Sequence, residues 1–403
     1  MNADTPVLPA PPSHVPHDRV YDFDLFSDPR IARDVHRGTT QLLEAAPDIF
    51  WTPRNGGHWI AIRHSVAAQI MRSPHLFSNV DAVMEPGRAK MNLPIPPMDM
   101  DGRDHMEHRR LLLPFLSPRA VEPLVPNMRR IAATVIDRLA DRRSCEFRSE
   151  VAVPMPVMLF MELMQFDTRR LDEILIWVET IVGGGDRGEI VPALIALNTY
   201  LGEIIAQRIG GSDDDPASQL LRSTIDGQRI SPQRAHEMCG LLFLAGLETV
   251  TTAMTFIAAH LAQHPETQRR LRACEPEIPS AIEELLRRYS FLNLPRRITA
   301  DCELAGVRLL AGETIICVMA AVGNDPEAFP EPEEVDFTRK NSPQIAFNIG
   351  PHSCVGAALA RMELRIFLEE WLKRMPDVGI EPGFAPSTRG GAIMALKALP
   401  LVW

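Results

Sequence analysis

The sequence is poor in cysteine and aromatic residues, and it has no dominant basic tract. Its 403 residues contain six cysteines, none of them in a Cys-x-x-Cys pair: positions 145, 239, 274, 302, 317 and 354. Such scattered thiols disfavour a zinc site or a disulfide framework and are typical of reduced cysteines in the cytoplasm. The formal net charge of −10 disfavours a nucleic-acid partner. We therefore expect a cytoplasmic protein that does not bind nucleic acid.

A membrane-spanning segment is not expected either. The most apolar stretch, residues 240–262, is interrupted by Glu248, four threonines and His260. A helix that is apolar on all sides also suits the centre of a large soluble protein. Residues 1–18 are rich in proline and lack the apolar core of a signal peptide, so we expect a flexible arm there. No long linker or repeat follows, which predicts a single domain over residues 19–403, and we expect it to be a monomer.

Helical periodicity dominates this domain. It predicts helices over residues 104–116, 119–140, 152–165, 169–182, 190–208, 231–263, 266–273, 278–290 and 355–374. Short strands are predicted at residues 59–62, 304–308, 313–317 and 392–398. The pattern indicates an α+β fold that is predominantly α, with a small β component. Ser231 as N-cap and Pro232 at the first helical position begin the longest helix, which would span roughly 50 Å.

One glycine-punctuated loop delivers a cysteine to the start of a predicted helix. The loop reads Phe347-Asn348-Ile349-Gly350-Pro351-His352-Ser353-Cys354-Val355-Gly356. At a helix N-terminus, the dipole and unpaired backbone N–H groups lower the pKa of a thiol and stabilise the thiolate. A thiolate in such a position suits a metal or an electrophile, whereas a lone cysteine is more often an inert buried thiol.

The loop resembles the haem-thiolate signature F-G-x-G-x-H-x-C-x-G of the cytochrome P450 family. The resemblance implies that Cys354 is the axial ligand of the iron of haem b, with Phe347, His352 and Gly356 around the cofactor. It also implies the P450 fold, with a long central helix and a small β-rich subdomain. Asn348 stands where the family has glycine, and asparagine is one of the few other residues that readily adopt a positive φ.

A second motif lies in the middle of the longest predicted helix. Ala245-Gly246-x-Glu248-Thr249 resembles the distal-helix motif of the family. The small residues Ala245 and Gly246 would let the flat cofactor approach the backbone. The resemblance implies that Thr249 hydrogen-bonds the oxygen ligand and that Glu248 relays protons. The residues alone leave open a buried glutamate neutralised by an arginine.

Further residues match the family's structural and cofactor-binding positions. Glu284 and Arg287 are similar to its E-x-x-R motif, for which Arg339 is the expected third member. His105 and Arg109 lie one helical turn apart and, with Arg296 and His352, would bind the haem propionates. The glycine cluster 183–188 formally fits a dinucleotide-binding motif, but it follows a helix instead of a strand, so we interpret it as a hinge beside a substrate lid.

The resemblance extends over nearly the whole chain and is closest to the bacterial camphor-hydroxylase subgroup. The tyrosine that holds the camphor carbonyl in that subgroup falls at residues 91–96, where this chain has none. We therefore expect a small terpenoid, or an ionone-like norisoprenoid ketone, in place of camphor. The substrate-facing positions by resemblance are mainly apolar: Leu93, Leu244, Leu292, Asn293, Ala392 and Ile393. Asn293 would be the polar contact, and ordinary core packing is the alternative for each of them.

The implied activity is hydroxylation of the substrate with dioxygen and two electrons. No flavin or nicotinamide motif is present, so we expect electrons from an iron–sulfur ferredoxin and its reductase. A basic docking face is expected from Arg72, Arg109, Arg110 and Arg361. The alternatives are a peroxide-using haem-thiolate enzyme and a non-catalytic haem-binding sensor or carrier.

Overall fold

The helices form most of the domain. The computed structural model describes residues 8–84, 94–183, 187–212, 214–340 and 342–403. The helices of this part of the chain are α1 (Pro29–Arg33), α2 (Val35–Ala45), α3 (His64–Arg72), α4 (Gly102–Leu116), α5 (Pro118–Val121), α6 (Val125–Asp137), α7 (Pro154–Leu163), α8 (Leu171–Val182), α9 (Arg187–Arg208), α10 (Pro216–Arg222), α11 (Pro232–Gln263), α12 (Pro265–Ala273), α13 (Ile278–Arg288), α14 (Met319–Val322) and α15 (Ala357–Arg374).

The strands are short and form small sheets. They are β1 (Ile49–Thr52), β2 (His58–Ala61), β3 (Phe77–Ser78), β4 (Ser144–Glu146), β5 (Thr224–Ile225), β6 (Gln228–Arg229), β7 (Asn293–Ile298), β8 (Cys302–Leu304), β9 (Val307–Leu309), β10 (Thr314–Val318), β11 (Gly379–Ile380), β12 (Thr388–Arg389), β13 (Ala395–Leu396) and β14 (Pro400–Val402). The largest sheet has the order β1-β2-β10-β7-β3, with β10 parallel to β2 and antiparallel to β7. The α+β, mainly helical fold class is thus confirmed.

The longest helix, α11, crosses the core. Ser231 Oγ accepts a hydrogen bond from the Arg234 backbone N–H, and Pro232 occupies the first helical position, as predicted. Residues 250–262 of α11 are buried almost without exception, in contact with a large apolar cluster that also includes α6, α13 and α15. The first half of α11 packs against a second cluster formed by α7, α8 and α9. The middle of α11 therefore lies where these two clusters meet.

Two elements differ from the predicted ones because local sequence interrupts them. The predicted helix 119–140 is two helices, α5 and α6, separated by a 3₁₀ turn at Glu122–Leu124. Pro123 and Pro126 lack the N–H groups that a continuous helix would need. The predicted strand 304–308 is the hairpin β8–β9, because Ala305 and Gly306 both adopt positive φ and reverse the chain.

Two helices are long and apolar enough to cross a membrane by length and composition: Gly188–Arg208 and Pro232–Gln263. The second is mostly buried, as a core helix of a soluble protein would be, and the two together are weak evidence of a membrane segment. At the other end of the chain, the second half of the expected arm packs against the large sheet. Val15 is buried there, and His14 Nε2 lies 3.0 Å from Glu313 Oε1.

Candidate active site

The cysteine loop is held by its own backbone. Cys354 N–H donates to the Phe347 carbonyl at 2.8 Å, which closes the loop just before α15. Asn348 adopts a φ of 60°, and its side-chain amide donates to the His352 carbonyl at 3.1 Å. The asparagine thus provides the left-handed conformation expected at this position and adds a cross-loop hydrogen bond. Gly350 has a φ of 75°, and a Cβ there would lie 2.6 Å from the Met71 carbonyl oxygen.

The electrostatics of Cys354 differ from the expectation for a helix N-terminus. Burial raises the pKa of its thiol, and this effect exceeds the opposing effects of the Gly356 backbone N–H and of Arg109 and Arg361. The predicted lowering of the pKa is therefore wrong for the polypeptide alone, because desolvation outweighs the nearby positive charges. Cys354 is nevertheless exposed by surface area, so a group from outside the polypeptide can reach it. A metal cation at this sulfur would stabilise the thiolate directly.

Open space also lies beside the centre of α11. Ala245 is exposed, although Phe243 and Leu247 on the same helix are buried. A Cβ added at Gly246 would meet no atom within 4 Å. Val355, next to the cysteine, packs against the same apolar cluster as Leu247. The small residues of the distal motif thus lie beside open space close to the start of α15.

Thr249 and Glu248 have different partners in this helix. The Thr249 hydroxyl donates to the Ala245 carbonyl, four residues earlier, at 2.6 Å. Its single hydrogen is thereby used, so the oxygen offers lone pairs to any other group. Glu248 Oε1 lies 2.5 Å from Arg389 Nη2. Burial raises the pKa of Glu248, while Arg389 and, from farther away, Arg148 lower it.

Two guanidinium groups, one buried and one half-buried, lack a carboxylate partner among the described residues. Arg296 is 5% exposed, and its one hydrogen bond there goes from Nη1 to the Pro295 carbonyl at 2.8 Å. Arg109 Nη2 donates to Ser353 Oγ at 3.3 Å. Burial lowers the pKa of both guanidinium groups. Buried cations of this kind need an anion for compensation.

The two histidines beside these arginines are not equivalent. His352 Nε2 lies 2.8 Å from Asp101 Oδ1, and its Nδ1 lies 2.8 Å from Asn79 Nδ2, so both of its nitrogens have protein partners. The His105 ring lies 4.1 Å from the His352 ring, between centroids. Its Nδ1 has no partner among the described residues, and burial lowers the pKa of His105 to about 4. His105 is therefore the freer of the two to bind a ligand.

Together these residues fit haem. The site presents a sulfur donor at Cys354, a helix face without side-chain bulk at Gly246, and the guanidinium groups of Arg109 and Arg296, which have no carboxylate hydrogen-bond partner among the described residues. A flat iron porphyrin with two carboxylates needs these three features. The fit rests on the Cys354 sulfur and on the guanidinium groups of Arg109 and Arg296.

The predicted structural triad is assembled in the core. Arg287 is fully buried and binds Glu284 through two hydrogen bonds of 2.9 and 2.7 Å. Arg339 Nε lies 3.2 Å from the same carboxylate. The remaining Arg287 N–H groups donate to the carbonyls of Gly323, Pro332 and Glu334. The triad thus fixes the segment that leads to the cysteine loop.

The candidate substrate positions are only partly brought together. Leu292 and Ile393 form an isolated antiparallel bridge, and the Asn293 backbone N–H donates to the Ala392 carbonyl at 2.9 Å. The Asn293 side chain is buried, and its amide donates to the Gly391 carbonyl at 2.6 Å. This bond holds the amide nitrogen of Asn293 to the protein, whereas its Oδ1 has no partner among the described residues. Leu244 lies on α11, and Leu93 lies outside the described residues.

Sequence reasoning did not identify the partners of several site residues. Asp101 and Asn79 hold His352, and Arg389 holds Glu248 from 141 positions along the chain. No fixed spacing connects these residues to the motifs that they serve. The alternative of a glutamate neutralised by an arginine does describe the Glu248 carboxylate in the structure.

Comparisons with known proteins agree on one family. The family model "Cytochrome P450" matches residues 161–274 and 276–375. "Probable cytochrome P450 127A1" of Sinorhizobium fredii is 30% identical over 97% of this chain and 96% of its own length. "Steroid C26-monooxygenase" of Mycobacterium tuberculosis is 28% identical over 82% of this chain and 91% of its own.

Solved structures are similar over nearly the whole length. Cytochrome P450 CYP101C1 has a TM-score of 0.91 and 34% identity, with 98% of this chain and 100% of that chain covered. CYP101J2 has a TM-score of 0.90 and 28% identity over the same shares. The likeness to CYP101C1 agrees with the predicted resemblance to the camphor-hydroxylase subgroup.

Proposed function

From the premise that this chain belongs to the cytochrome P450 family and is a monooxygenase, we propose that it hydroxylates a small apolar terpenoid or ionone-like norisoprenoid ketone. The reaction consumes one dioxygen, two electrons and two protons, and it yields the alcohol and water. The electrons come from an iron–sulfur ferredoxin and its reductase, and the enzyme works as a cytoplasmic monomer. The observation that carries this proposal is the exposed Cys354 thiol just before α15, together with the open space beside Ala245 and Gly246 on α11.

The cofactor is haem b, which when bound supplies the iron at which dioxygen is activated. Cys354 would ligate the iron, and the Gly356 N–H and the positive charges of Arg109 and Arg361 would stabilise its thiolate. Arg109, Arg296 and the His105 ring would hold the propionates. His352 would act by orienting this cluster, because both of its nitrogens already have partners.

Thr249 and Glu248 would manage protons beside the haem. With its hydrogen on the Ala245 carbonyl, the Thr249 oxygen is an acceptor, so it can hold a donor such as water or a hydroxyl in a fixed place. Burial favours the protonated form of Glu248, and its pair with Arg389 favours the ionised form. A carboxyl whose pKa is raised above its ordinary value is better suited than an exposed glutamate to accept and release protons in turn.

The substrate proposal rests on the side chains available. Leu244, Leu292, Ala392 and Ile393 offer an apolar lining, and the described residues there offer little polar recognition beyond Asn293. Such a site would favour a compact hydrophobic ring system. Affinity would then come mainly from apolar burial.

The redox partner would dock beside α4 and the cysteine loop, and the charges there are more balanced than the sequence suggested. Arg110 pairs with Glu107, and Arg361 pairs with Glu283. Met106 and Leu113 are 42% and 44% exposed on the same face of α4 as Arg110. We therefore expect docking to use apolar contacts together with a modest positive charge.

The first experiment is the carbon monoxide difference spectrum of the dithionite-reduced protein. A strongly red-shifted Soret band supports thiolate ligation by Cys354, and Cys354→His should move the band to the position typical of histidine ligation. Terpenoids and ionones are then titrated into the ferric protein, and the largest low-to-high-spin change identifies the preferred class. A wild-type band typical of histidine ligation, or no haem binding, would refute the proposal.

Thr249→Ala distinguishes the proposed activity from its two alternatives. In a monooxygenase this change uncouples the reaction, so peroxide accumulates at the expense of product for the same consumption of reductant. A peroxide-using enzyme would keep its product yield when supplied with hydrogen peroxide alone. A sensor or carrier has no turnover for the substitution to change.

Arg110→Glu tests the docking face. The substitution should raise the KM for the ferredoxin while leaving the substrate-induced spin change unaltered. Arg33→Glu, an exposed position on α1, is the matched control. Identical reduction kinetics for Arg110→Glu and wild type would place the docking surface elsewhere.

A further inference from the structure

One arginine joins three separate parts of the molecule next to the distal helix. Arg389 lies on β12, and its Nη2 donates both to Glu248 Oε1 on α11 and to the Val182 carbonyl, 3.0 Å away, at the end of α8. Its Nη1 donates to the Ile393 carbonyl at 3.3 Å. The same nitrogen therefore binds the distal acid and the last residue of a neighbouring helix.

The contact with Val182 has a specific meaning for α8. The last four carbonyls of a helix have no partner within the helix, and they carry the negative end of its dipole. A guanidinium group that donates to the final carbonyl is a C-terminal cap that satisfies both deficits. Glu248 holds this cap in place, although within the described part of the chain its carboxylate bonds to Arg389 and not to α8.

A second ion pair anchors the same end of α8. Arg148 Nη1, from the helical turn Arg148–Ala152, lies 2.5 Å from Glu179 Oε1 on α8. Arg148 is buried and its charge also acts on Glu248. The end of α8 is thus fixed by two arginines, and of these two Arg389 contacts both α8 and the distal acid directly.

We propose that Arg389 couples the ionisation of Glu248 to the anchoring of α8, so that the charge of Glu248 and the stability of the end of α8 depend on each other. The ionised carboxylate holds Arg389 against the Val182 carbonyl and keeps the end of α8 capped. Protonation of Glu248 removes the charge that holds the arginine, and the end of α8 loosens. By reciprocity, a ligand that fixes α8 in this position favours the ionised carboxylate. The role of Glu248 in proton delivery rests on the proposed function, but the coupling itself does not.

The test measures amide hydrogen exchange at residues 178–183 in the haem-loaded protein. Glu248→Gln and Arg389→Met should each accelerate exchange by about tenfold, the change expected from losing a charge-assisted hydrogen bond. The double variant should exchange no faster than either single variant, because both remove the same anchor. An unchanged rate in Glu248→Gln would overturn the coupling and leave Arg389 as a simple cap.

Glu179→Gln is the matched control. It removes the other anchor of α8, so it should also accelerate exchange, and its effect should add to that of Glu248→Gln. If the Arg389→Met protein does not fold, Arg389→Lys keeps the charge but loses the forked geometry, and it should give an intermediate rate.

An infrared measurement of the protonation of Glu248 provides a second test of the coupling. The infrared carbonyl band of protonated Glu248, assigned by its absence in Glu248→Gln, is followed against pH in wild type and Arg389→Lys. Exchange at the end of α8, corrected for intrinsic rates, should rise with this band in wild type and lose that dependence in Glu248→Gln. An exchange rate that does not change with the intensity of this band would refute the proposal. Neither readout requires turnover, so a failure here is distinct from a failure of the monooxygenase proposal.

Discussion

Three buried or half-buried glutamates show how differently this fold treats a carboxyl group. Glu284 is fully enclosed and is bound by Arg287 and Arg339. Glu248 is 22% exposed and is bound by one arginine, which also serves another helix. Glu363, on α15, is buried, and no ion pair involves it among the described residues; burial raises its pKa to about 8. The three carboxyl groups thus have two, one and no guanidinium partners among the described residues, and burial raises the pKa of the two with fewer partners, Glu248 and Glu363.

The largest effect on the free energy of unfolding is expected from removing Arg287, the main partner of Glu284. Arg287→Met leaves the Glu284 carboxylate buried with Arg339 and the Asp336 backbone N–H as its partners among the described residues, and it removes the donor from three backbone carbonyls. We expect a loss of about 3–5 kcal/mol in the free energy of unfolding, measured by chemical denaturation. Arg288→Met, at the adjacent and more exposed position, should cost less than about 1 kcal/mol. Equal losses in the two variants would show that the triad has no special role.

The contribution of Glu363 to stability should change with pH in the opposite direction to that of a carboxyl group whose pKa is lowered by an ion pair. The pKa of Glu363 is raised to about 8 in the fold from 4.5, so its stabilising contribution is present below pH 4.5 and is lost as pH rises to about 8. Glu363→Gln cannot ionise, and at pH 8 it should be more stable than wild type by about 2–4 kcal/mol. Glu369→Gln is the control on the same helix. It loses ion pairs to Arg129 and Arg365, so it should be destabilised.

The smallest effect on the free energy of unfolding is expected from substituting Glu248. Glu248→Gln relieves a burial cost and loses one charge-assisted bond, so the free energy of unfolding should change by no more than about 1 kcal/mol. Thermal or chemical unfolding of the haem-loaded protein would measure it. A loss as large as that of Arg287→Met would mean that Glu248 is a structural residue, and the three-way comparison would fail.

Local sequence predicted those features whose cause is local. The cap at Ser231, the long helix α11 and the positive φ of Asn348 follow from residue type and nearest neighbours. The same reasoning did not detect the break between α5 and α6, although prolines mark it, because helical periodicity continues across it. The motif at Glu284 and Arg287 predicted the triad because these two residues lie within a single helical turn.

Tertiary structure alone decided what surrounds each functional group. A helix N-terminus predicts a lowered pKa for Cys354, but burial in the assembled cleft raises it. The sequence likewise contains no sign that Arg389 would reach Glu248 and Val182, or that Asp101 and Asn79 would occupy His352. The physical reason is that these effects act over different distances along the chain. Backbone conformation and capping depend on a few adjacent residues, whereas desolvation and charge pairing depend on every element that packs around a group.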